Sequence, residues 1–479
     1  MAFASPVAQS VLLRLLTALL NLVLLGYTAR MLGPGVRGEI SLLIATLGIA
    51  LHIAGMGGGS QLVYLLPRHP HGGIYRRALL WTTATAVGVA LVALLVQANL
   101  PLHPALWPAL LFAFLWGNLN RWTLVARGAI LVDHRLNVGN SLLQLVLLAG
   151  LLYGGAPTNL MTFGWVLLVS WALIALWSGL LLLPAQPKSP TSSTEMGAAS
   201  RGDQPSQTSD AASRGDQPNQ TSDAASRGEQ SNPPSDAASR GERLCQTSVV
   251  ENRGEQPNQA SDAVPLGWGQ QLRLGFYAQG TDLILLLGNR LAYYLLAATL
   301  GSSVLGRYAL AQALAEAFWS MSRSINVWLA GRISRSTEQD PATSTMRWCR
   351  YAVWNSGIGC ALLIAVPDEL WVRLLGDGFR GLSGLLPWLA PGMIALAYQG
   401  TLMQYYAGTG QFRRNATTAG MALLSVALSS PLLLYFMGDT GVALAQSLSL
   451  MLSAAFITRR FQRDTRLSPG QMLTGQSPV

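Results

Sequence analysis

The chain has 479 residues; half are hydrophobic, only 11% are charged, and the mean hydropathy is +0.33. Soluble domains carry about 25% charged residues, so this composition argues against an ordinary cytosolic enzyme. Residues 185–265 hold 11 of the 22 acidic and 7 of the 32 basic residues, which leaves the rest of the chain with a net charge of +14. A hydrophobic body with sparse, mostly basic charge predicts a polytopic membrane protein. Nucleic-acid binding is not expected, because the arginines do not form one solvated face.

Helices that cross a bilayer need about 20 predominantly apolar residues. Six stretches of the first half meet this requirement, at about 7–31, 40–66, 78–98, 104–126, 138–155 and 161–184. Six more follow in the second half, at about 270–299, 304–330, 350–367, 384–407, 416–437 and 441–459. We therefore predict an all-α polytopic membrane protein with about 12 transmembrane helices.

A polar segment separates these two groups of spans, so the chain divides into four parts. They are an N-terminal six-helix lobe (1–184), a linker (185–267), a C-terminal six-helix lobe (268–463) and a tail (464–479). The linker contains a 13-residue repeat rich in Ser, Gln, Asp, Pro and Gly. Because the repeat has no regular hydrophobic position, burial would not offset the entropy of ordering it, and we expect it to be disordered.

The distribution of arginines predicts the orientation of the chain. If the N-terminus is cytoplasmic, the inner connections carry Arg68, Arg76, Arg77, Arg127, Arg135, Arg332, Arg335, Arg347, Arg413 and Arg414. The outer connections carry few bases, namely Arg37, Arg307, Arg373 and Arg380. By the positive-inside rule, both termini, the linker and the tail are expected in the cytoplasm.

The two halves share a short sequence repeat. Residues 32–42 (LGPGVRGEISL) and 300–310 (LGSSVLGRYAL) are identical at five positions with a constant offset of 268, and each lies between the first and second spans of its half. Glycine permits a tight turn at this point. An even number of spans before a cytoplasmic linker gives both lobes one orientation, so we predict a parallel repeat about an axis along the membrane normal.

The same region carries a family resemblance. Residues 29–38 (ARMLGPGVRG) resemble the first external turn of oligosaccharide flippases of the polysaccharide-biosynthesis family, within the multidrug/oligosaccharidyl-lipid/polysaccharide exporter superfamily. Residues 272–275, 300–319 and 371–379 resemble, in order, the opening of the second half, the seventh and eighth spans, and the loop before the tenth. The resemblance covers both lobes and leaves out the linker.

Polar side chains inside the spans predict a site. A charge at bilayer depth costs at least about 2.5 kcal/mol, so each one needs a role. Candidates for lining a polar cavity between the lobes are Arg14, Asn21, Asn118, Arg121, Asn289, Arg290, Gln312 and Arg323. Candidates for pairing with arginine or coupling to a cation are Asp282 and Glu316. The competing interpretation is that these are structural ion pairs or helix-end residues that reach the interface.

The resemblance implies a flippase rather than an enzyme. Its substrate would be an oligosaccharide on a polyprenyl carrier, undecaprenyl diphosphate, moved from the inner to the outer leaflet of a bacterial cytoplasmic membrane by alternating access. The expected partners are this lipid-linked glycan, membrane lipids, and a glycan polymerase and glycosyltransferases. No cofactor, metal or catalytic constellation is expected.

Two other functions stay open on the sequence. An ion-coupled exporter of small molecules or drugs would share the fold, but it would need a cavity rich in carboxylates. A membrane glycan polymerase or ligase would need a large outer loop with paired acids. The longest outer connection, at about 368–383, carries Asp368, Glu369 and Asp377.

Overall fold

The computed structural model describes residues 6–68, 73–95, 106–183, 267–317 and 341–466. Nearly all of these residues are helical, and no strand occurs among them, which confirms the all-α prediction. The predicted linker up to residue 266, Arg323 and all but the first residues of the predicted tail lie outside the described residues.

The helices of the first half are α1 (Pro6–Gly58), α2 (Leu62–Arg68), α3 (Ile74–Leu95), α4 (Leu106–Ala126), α5 (Ile130–Tyr153) and α6 (Leu160–Leu182). Those of the second half are α7 (Trp268–Thr299), α8 (302–317, up to the edge of the described range), α9 (Pro341–Ala365), α10 (Asp368–Leu375), α11 (Leu382–Gly408) and α12 (Phe412–Thr465). A short 3-10 turn, Asp377–Phe379, follows α10.

Two of these helices are long because each contains a glycine kink. Gly33 in α1 has φ 76° and ψ 174°, and Gly438 in α12 has φ 62° and ψ −138°, both outside helical geometry. By length and hydropathy, four helices of the described part qualify as membrane spans: α5, α6, and the kinked stretches Leu12–Gly58 and Arg413–Thr465. Each kink lies between two of the spans predicted from sequence.

The kink corrects the expected outer connection around residues 32–40. The helix resumes at once after Gly33, with Pro34 in the first turn, a position where its missing N–H leaves no extra donor unsatisfied. Arg37, expected in an outer connection, is therefore helical, and it is 93% buried with 7% of its surface exposed. The predicted outer connection 368–383 is also partly helical, since it contains α10.

The second half of α1 packs against helices of both halves of the chain, for which we keep the terms first lobe (6–183) and second lobe (267–466) as labels. Ile40 and Leu43 pack in the core of the first lobe with residues such as Leu110 and Leu148. Ala45 instead belongs to the core of the second lobe, together with large buried side chains such as Tyr308 and Phe379. One helix thus contributes a face to each hydrophobic core.

Glutamine side chains end α1 at Gly58, short of the predicted span boundary at residue 66. Gln61 Nε2 donates to the carbonyls of Gly55 (2.8 Å) and Met56 (2.9 Å). Gln271 Nε2, from α7, donates to the carbonyl of Gly57 at 2.8 Å. These amides satisfy carbonyls that the last turn of a helix leaves without partners, so the chain turns here without exposing backbone to lipid.

Near the kink, α1 and α8 cross at backbone contact, in what we call the glycine seam (Pro34, Gly38, Ser302 and Gly306). A Cβ on Gly38 would overlap the carbonyl oxygen of Ser302, and a Cβ on Gly306 would overlap that of Pro34. The two contacts are equivalent to each other under the offset of 268, because Gly306 corresponds to Gly38 and Ser302 corresponds to Pro34. Reciprocal contacts of this kind characterise a two-fold interface.

Substitution in the glycine seam should separate close packing from helix propensity. We expect Gly38→Ala and Gly306→Ala each to destabilise the protein by about 1–3 kcal/mol, the usual range for overpacking. The matched control is Gly139→Ala, since a Cβ at this helical glycine meets no atom within 4 Å and Ala is the better helix former. Thermal unfolding of the purified variants measures the difference. Equal melting temperatures for Gly38→Ala and Gly139→Ala would contradict the close approach.

A carboxylate organises the turn after α10. Asp368 accepts hydrogen bonds from Gly381 N (2.9 Å to Oδ2) and from Ser383 Oγ (2.8 Å to Oδ1). Burial acts to raise the pKa of Asp368, but the hydrogen bonds from Gly381 and Ser383, with nearby Arg380, outweigh it and lower this pKa below its ordinary value. The ionised form of Asp368 therefore stabilises the turn.

The stabilisation by Asp368 should depend on pH in a defined direction. Because its pKa is lowered in the folded state, the contribution is present above the ordinary aspartate pKa of about 3.9 and is lost as pH falls through the lowered value. We expect Asp368→Asn to melt at a lower temperature than wild type at pH 7, with the gap narrowing below about pH 4. Asp377→Asn, whose side chain is 89% exposed, is the control. A gap that widens on acidification would refute the assignment.

Candidate functional site

A network of polar side chains from three helices of the second lobe forms what we call the central cluster (Asn289, Arg290, Gln312, Glu316 and Gln446). Gln312 Nε2 donates to Glu316 Oε1 at 2.8 Å and to the Asn289 carbonyl at 3.5 Å. Gln446 Nε2, from α12, donates to Asn289 Oδ1 at 3.0 Å. The cluster brings together four of the residues predicted from sequence, on the adjacent helices α7 and α8.

Arg290 and Glu316 form the ionic core of this cluster. The guanidinium donates from Nη1 to Oε1 (3.3 Å) and from Nη2 to Oε2 (3.1 Å), which is the paired geometry that a planar fork makes with a carboxylate. Nη1 also donates to the Tyr293 hydroxyl at 2.6 Å. Both charged side chains are 21% exposed, so the pair is shielded from bulk water without being sealed.

Arg37 brings a second cation to the central cluster from the other lobe. It lies in α1, within electrostatic range of Arg290 and Tyr293. Sequence reasoning missed it, because the motif around residues 29–38 suggested an outer turn. The signal that places it correctly is Pro34: a proline at the start of a helix puts Arg37 within the first turn and not in a loop.

Arg121 lies in a separate network, the first-lobe cluster (Arg121, Asp133, His134 and Asn137). Arg121 Nε donates to Asp133 Oδ1 at 2.7 Å, with side-chain exposures of 18% and 11%. Asn137 Nδ2 donates to the Asp133 carbonyl at 3.1 Å and to its Oδ2 at 3.3 Å. Asp133, a residue not singled out from sequence, is thus the partner of Arg121.

The other predicted site residues lie apart from the central cluster. Asn21 is exposed and accepts a hydrogen bond from Ser141 Oγ of α5 at 2.8 Å. Asn118 Nδ2 donates to the Phe114 carbonyl at 2.8 Å within its own helix. Arg14 is exposed and acts electrostatically on His134, also in α5. Asp282 is exposed on α7.

An apolar pocket lies where α1 meets the second lobe. Its volume is about 630 Å³, and it is lined by α1, α8, α9 and α10. Leu22, Leu25 and Leu314 are among the apolar lining residues, and Arg30 supplies a charge. Arg30 Nη1 donates to the carbonyls of Arg373 (2.9 Å) and Leu374 (3.4 Å) at the end of α10, which suits a cation at a helix C-terminus.

These groups are suited to binding rather than to covalent chemistry. Guanidinium and amide groups recognise oxyanions and hydroxyls by hydrogen bonding. The two carboxylates of the clusters, Glu316 and Asp133, each accept hydrogen bonds from an arginine. Within the described ranges, no group of three or more His, Cys, Asp and Glu residues could hold a metal ion.

No protein-family model and no curated protein sequence matches this chain. Solved structures do match. A multidrug resistance MATE family transporter of the MOP superfamily, inward-facing, has a TM-score of 0.65 at 12% identity, with 96% of each chain covered. The lipid II flippase MurJ, inward closed, has a TM-score of 0.62 at 9% identity, covering 97% of this chain and 89% of that one. A MOP superfamily transporter from Pyrococcus furiosus has a TM-score of 0.56 at 11% identity, covering 97% and 94%. The chain therefore has the fold of MOP superfamily transporters.

The Arg290–Glu316 pair should show strong thermodynamic coupling. Glu316→Gln leaves a shielded guanidinium without its counter-charge, so we expect a loss of about 1–3 kcal/mol of unfolding free energy. The double variant Arg290→Gln/Glu316→Gln should lose less than the sum of the single changes. The control cycle uses Arg380 and Asp377, a pair 74% and 89% exposed, for which about 0.5 kcal/mol or less is expected. Additive losses at Arg290 and Glu316 would mean that the pair does not interact.

Proposed function

We propose that this protein is a flippase for a lipid-linked oligosaccharide, carried on a polyprenyl diphosphate such as undecaprenyl diphosphate. The observation that carries the proposal is a surplus of cationic charge: Arg290 pairs with Glu316, and the buried Arg37, which has no ion pair among the described residues, acts electrostatically on Arg290. The protein has the fold of membrane transporters, and one of the solved structures it resembles is a lipid II flippase.

The chemistry of the substrate fits the groups that are present. A diphosphate must be matched by cations when it leaves water, or its desolvation will exclude it from the protein. Arginine gives paired hydrogen bonds and stays charged at any working pH. The amides of Gln312, Asn289 and Gln446 can hydrogen-bond sugar hydroxyls. The apolar pocket between α1 and α8 can hold part of the polyprenyl chain.

We also propose the parallel repeat as the basis of alternating access. Besides the reciprocal contacts of the glycine seam, turn glycines with positive φ recur in matching places of the two halves. The pairs are Gly33 (φ 76°) with Gly301 (87°), Gly128 (83°) with Gly410 (77°), and Gly155 (83°) with Gly438 (62°). Two lobes with the same arrangement of helices, in contact at a central polar site, can rotate about that site and expose it to one side of the membrane at a time.

The surrounding proposals follow from the same function. The protein would lie in a bacterial cytoplasmic membrane with about 12 spans, both termini inside, and Arg14, Asn21, Asn118, Arg121 and Arg323 would complete the polar surface. A glycan polymerase and glycosyltransferases would work before and after it. An ion-coupled drug exporter is the second candidate, because MATE transporters share the fold.

Deleting the gene should stop export of the glycan and leave the precursor inside. We expect less cell-surface glycan and more lipid-linked precursor, measured together in the same cells. Complementation with Arg290→Ala should restore export only weakly at normal protein level, because a guanidinium of the central cluster is lost. Arg121→Ala should weaken export less, since Asp133 already balances the charge of Arg121. Arg290→Lys should restore part of it, since the charge returns without the paired geometry.

Glu316→Gln separates the two candidate functions. An ion-coupled exporter that uses Glu316 loses transport completely, whereas a flippase in which this carboxylate only orients Arg290 keeps part of its export. Arg380→Ala, at an exposed pair, serves as the matched control. Normal surface glycan in the deletion strain, combined with increased sensitivity to cationic drugs, would replace the flippase with the exporter.

A further inference from the structure

Arg37 is a buried cation for which the described part of the chain provides no counter-charge. Its side chain lies in the interior, with only 7% of the residue exposed, and its Nε is fully buried without a hydrogen-bond acceptor. The hydrogen bond that Ser41 Oγ donates at 2.9 Å goes to the backbone carbonyl of Arg37 and does not involve the guanidinium. Among the residues described, no carboxylate lies within ion-pair distance of Arg37.

The neighbouring acid does not compensate for this charge. Glu316 already accepts from both terminal nitrogens of Arg290 and from Gln312 at 2.8 Å. The groups that act electrostatically on Arg37 are the Tyr293 phenol and the like charge of Arg290. A buried guanidinium beside another cation is unfavourable by desolvation and by repulsion, so the site is incomplete without an anion.

We propose that Arg37 holds a phosphate oxyanion at the central cluster, on the side of the glycine seam. The inference deepens the proposed function, on which it rests, by naming the residue that takes the diphosphate of the lipid-linked glycan. Arg37 stands in the first turn of the helical stretch that restarts at Pro34, so the positive end of that helix adds to the attraction. Arg290 is held by Glu316, while Arg37 is available.

A phosphate fits this position better than a carboxylate or a halide. The guanidinium of Arg37 can make two parallel hydrogen bonds to a phosphate. A phosphate has further oxygens that can accept hydrogen bonds from the Tyr293 hydroxyl and from the guanidinium of Arg290. Such oxyanions have two sources in a membrane, the diphosphate of a polyprenyl-linked sugar and the headgroup of an anionic phospholipid. Both present the same chemistry to Arg37.

The sign of a stability change tests the inference on the purified full chain in detergent. If Arg37 is an anion-binding residue, its charge is uncompensated in the unliganded protein. Removing that charge in Arg37→Met should then raise the melting temperature by about 2 °C or more above that of wild type. The matched control is Arg307→Met, since Arg307 donates to the Arg380 carbonyl (3.2 Å) and pairs with Asp439 (3.8 Å) and should therefore melt lower when replaced. If Arg37→Met also melts lower, Arg37 is structural and the inference fails.

Inorganic pyrophosphate is the probe for the ligand. It should raise the melting temperature of wild type and of Arg307→Met, while Arg37→Met gives no shift and Arg37→Lys a smaller one. Equal shifts in wild type and Arg37→Met would overturn the site. In nanodiscs, phosphatidylglycerol could raise the melting temperature of wild type, but not of Arg37→Met, relative to phosphatidylcholine. That result would assign the oxyanion to a lipid headgroup and overturn its assignment to the substrate.

Export in cells separates this inference from the proposed function. Arg37→Met should fail to restore surface glycan to the deletion strain and should accumulate precursor. If Arg37→Met restores export fully while the deletion abolishes it, the flippase stands and the role of Arg37 is refuted. If deletion leaves export unchanged while pyrophosphate still stabilises wild type through Arg37, the oxyanion site stands and the proposed function fails.

Discussion

The backbone contact of the glycine seam is the constraint on which the central site depends. Gly38 and Gly306 bring α1 and α8 together without intervening side chains. Because Arg37 precedes Gly38 directly in sequence, the same contact brings the cation of Arg37 into electrostatic range of Arg290. A larger residue at either glycine would separate the helices and, with them, the charges.

Charge balance then gives the site its chemical character. A shielded arginine and glutamate in paired geometry are nearly neutral together, and such a pair contributes little net stability by itself. The additional guanidinium makes the cluster cationic. In a protein interior bounded by lipid, a surplus charge of this kind is unfavourable, and this is the ground on which we propose an anionic ligand for it. The first-lobe cluster differs, because Asp133 balances Arg121.

The sequence predicted much of the site, but not its connectivity. Arg290, Glu316, Gln312 and Asn289 were chosen because polar residues in apolar helices need a role, and they do lie in one network. Asn21 shares a helical face with Arg14, yet its side chain meets α5 and not the second lobe. The helical period fixes which residues share a face, but it does not say which neighbour that face contacts.

The sequence by itself determined the helical class and the basic surplus of the membrane body, because hydropathy and charge act locally or additively along the chain. It also placed breaks near Gly33 and Gly438, but as connections between separate spans and not as kinks. It also showed the repeat at an offset of 268. Only the tertiary structure decided that Glu316 pairs with Arg290, that Asp133 pairs with Arg121, and that Arg37 is buried and unpaired. Those facts depend on how closely and at what height the helices pack, which no local pattern encodes. For Arg37, the packing of two small glycines brings α1 against α8.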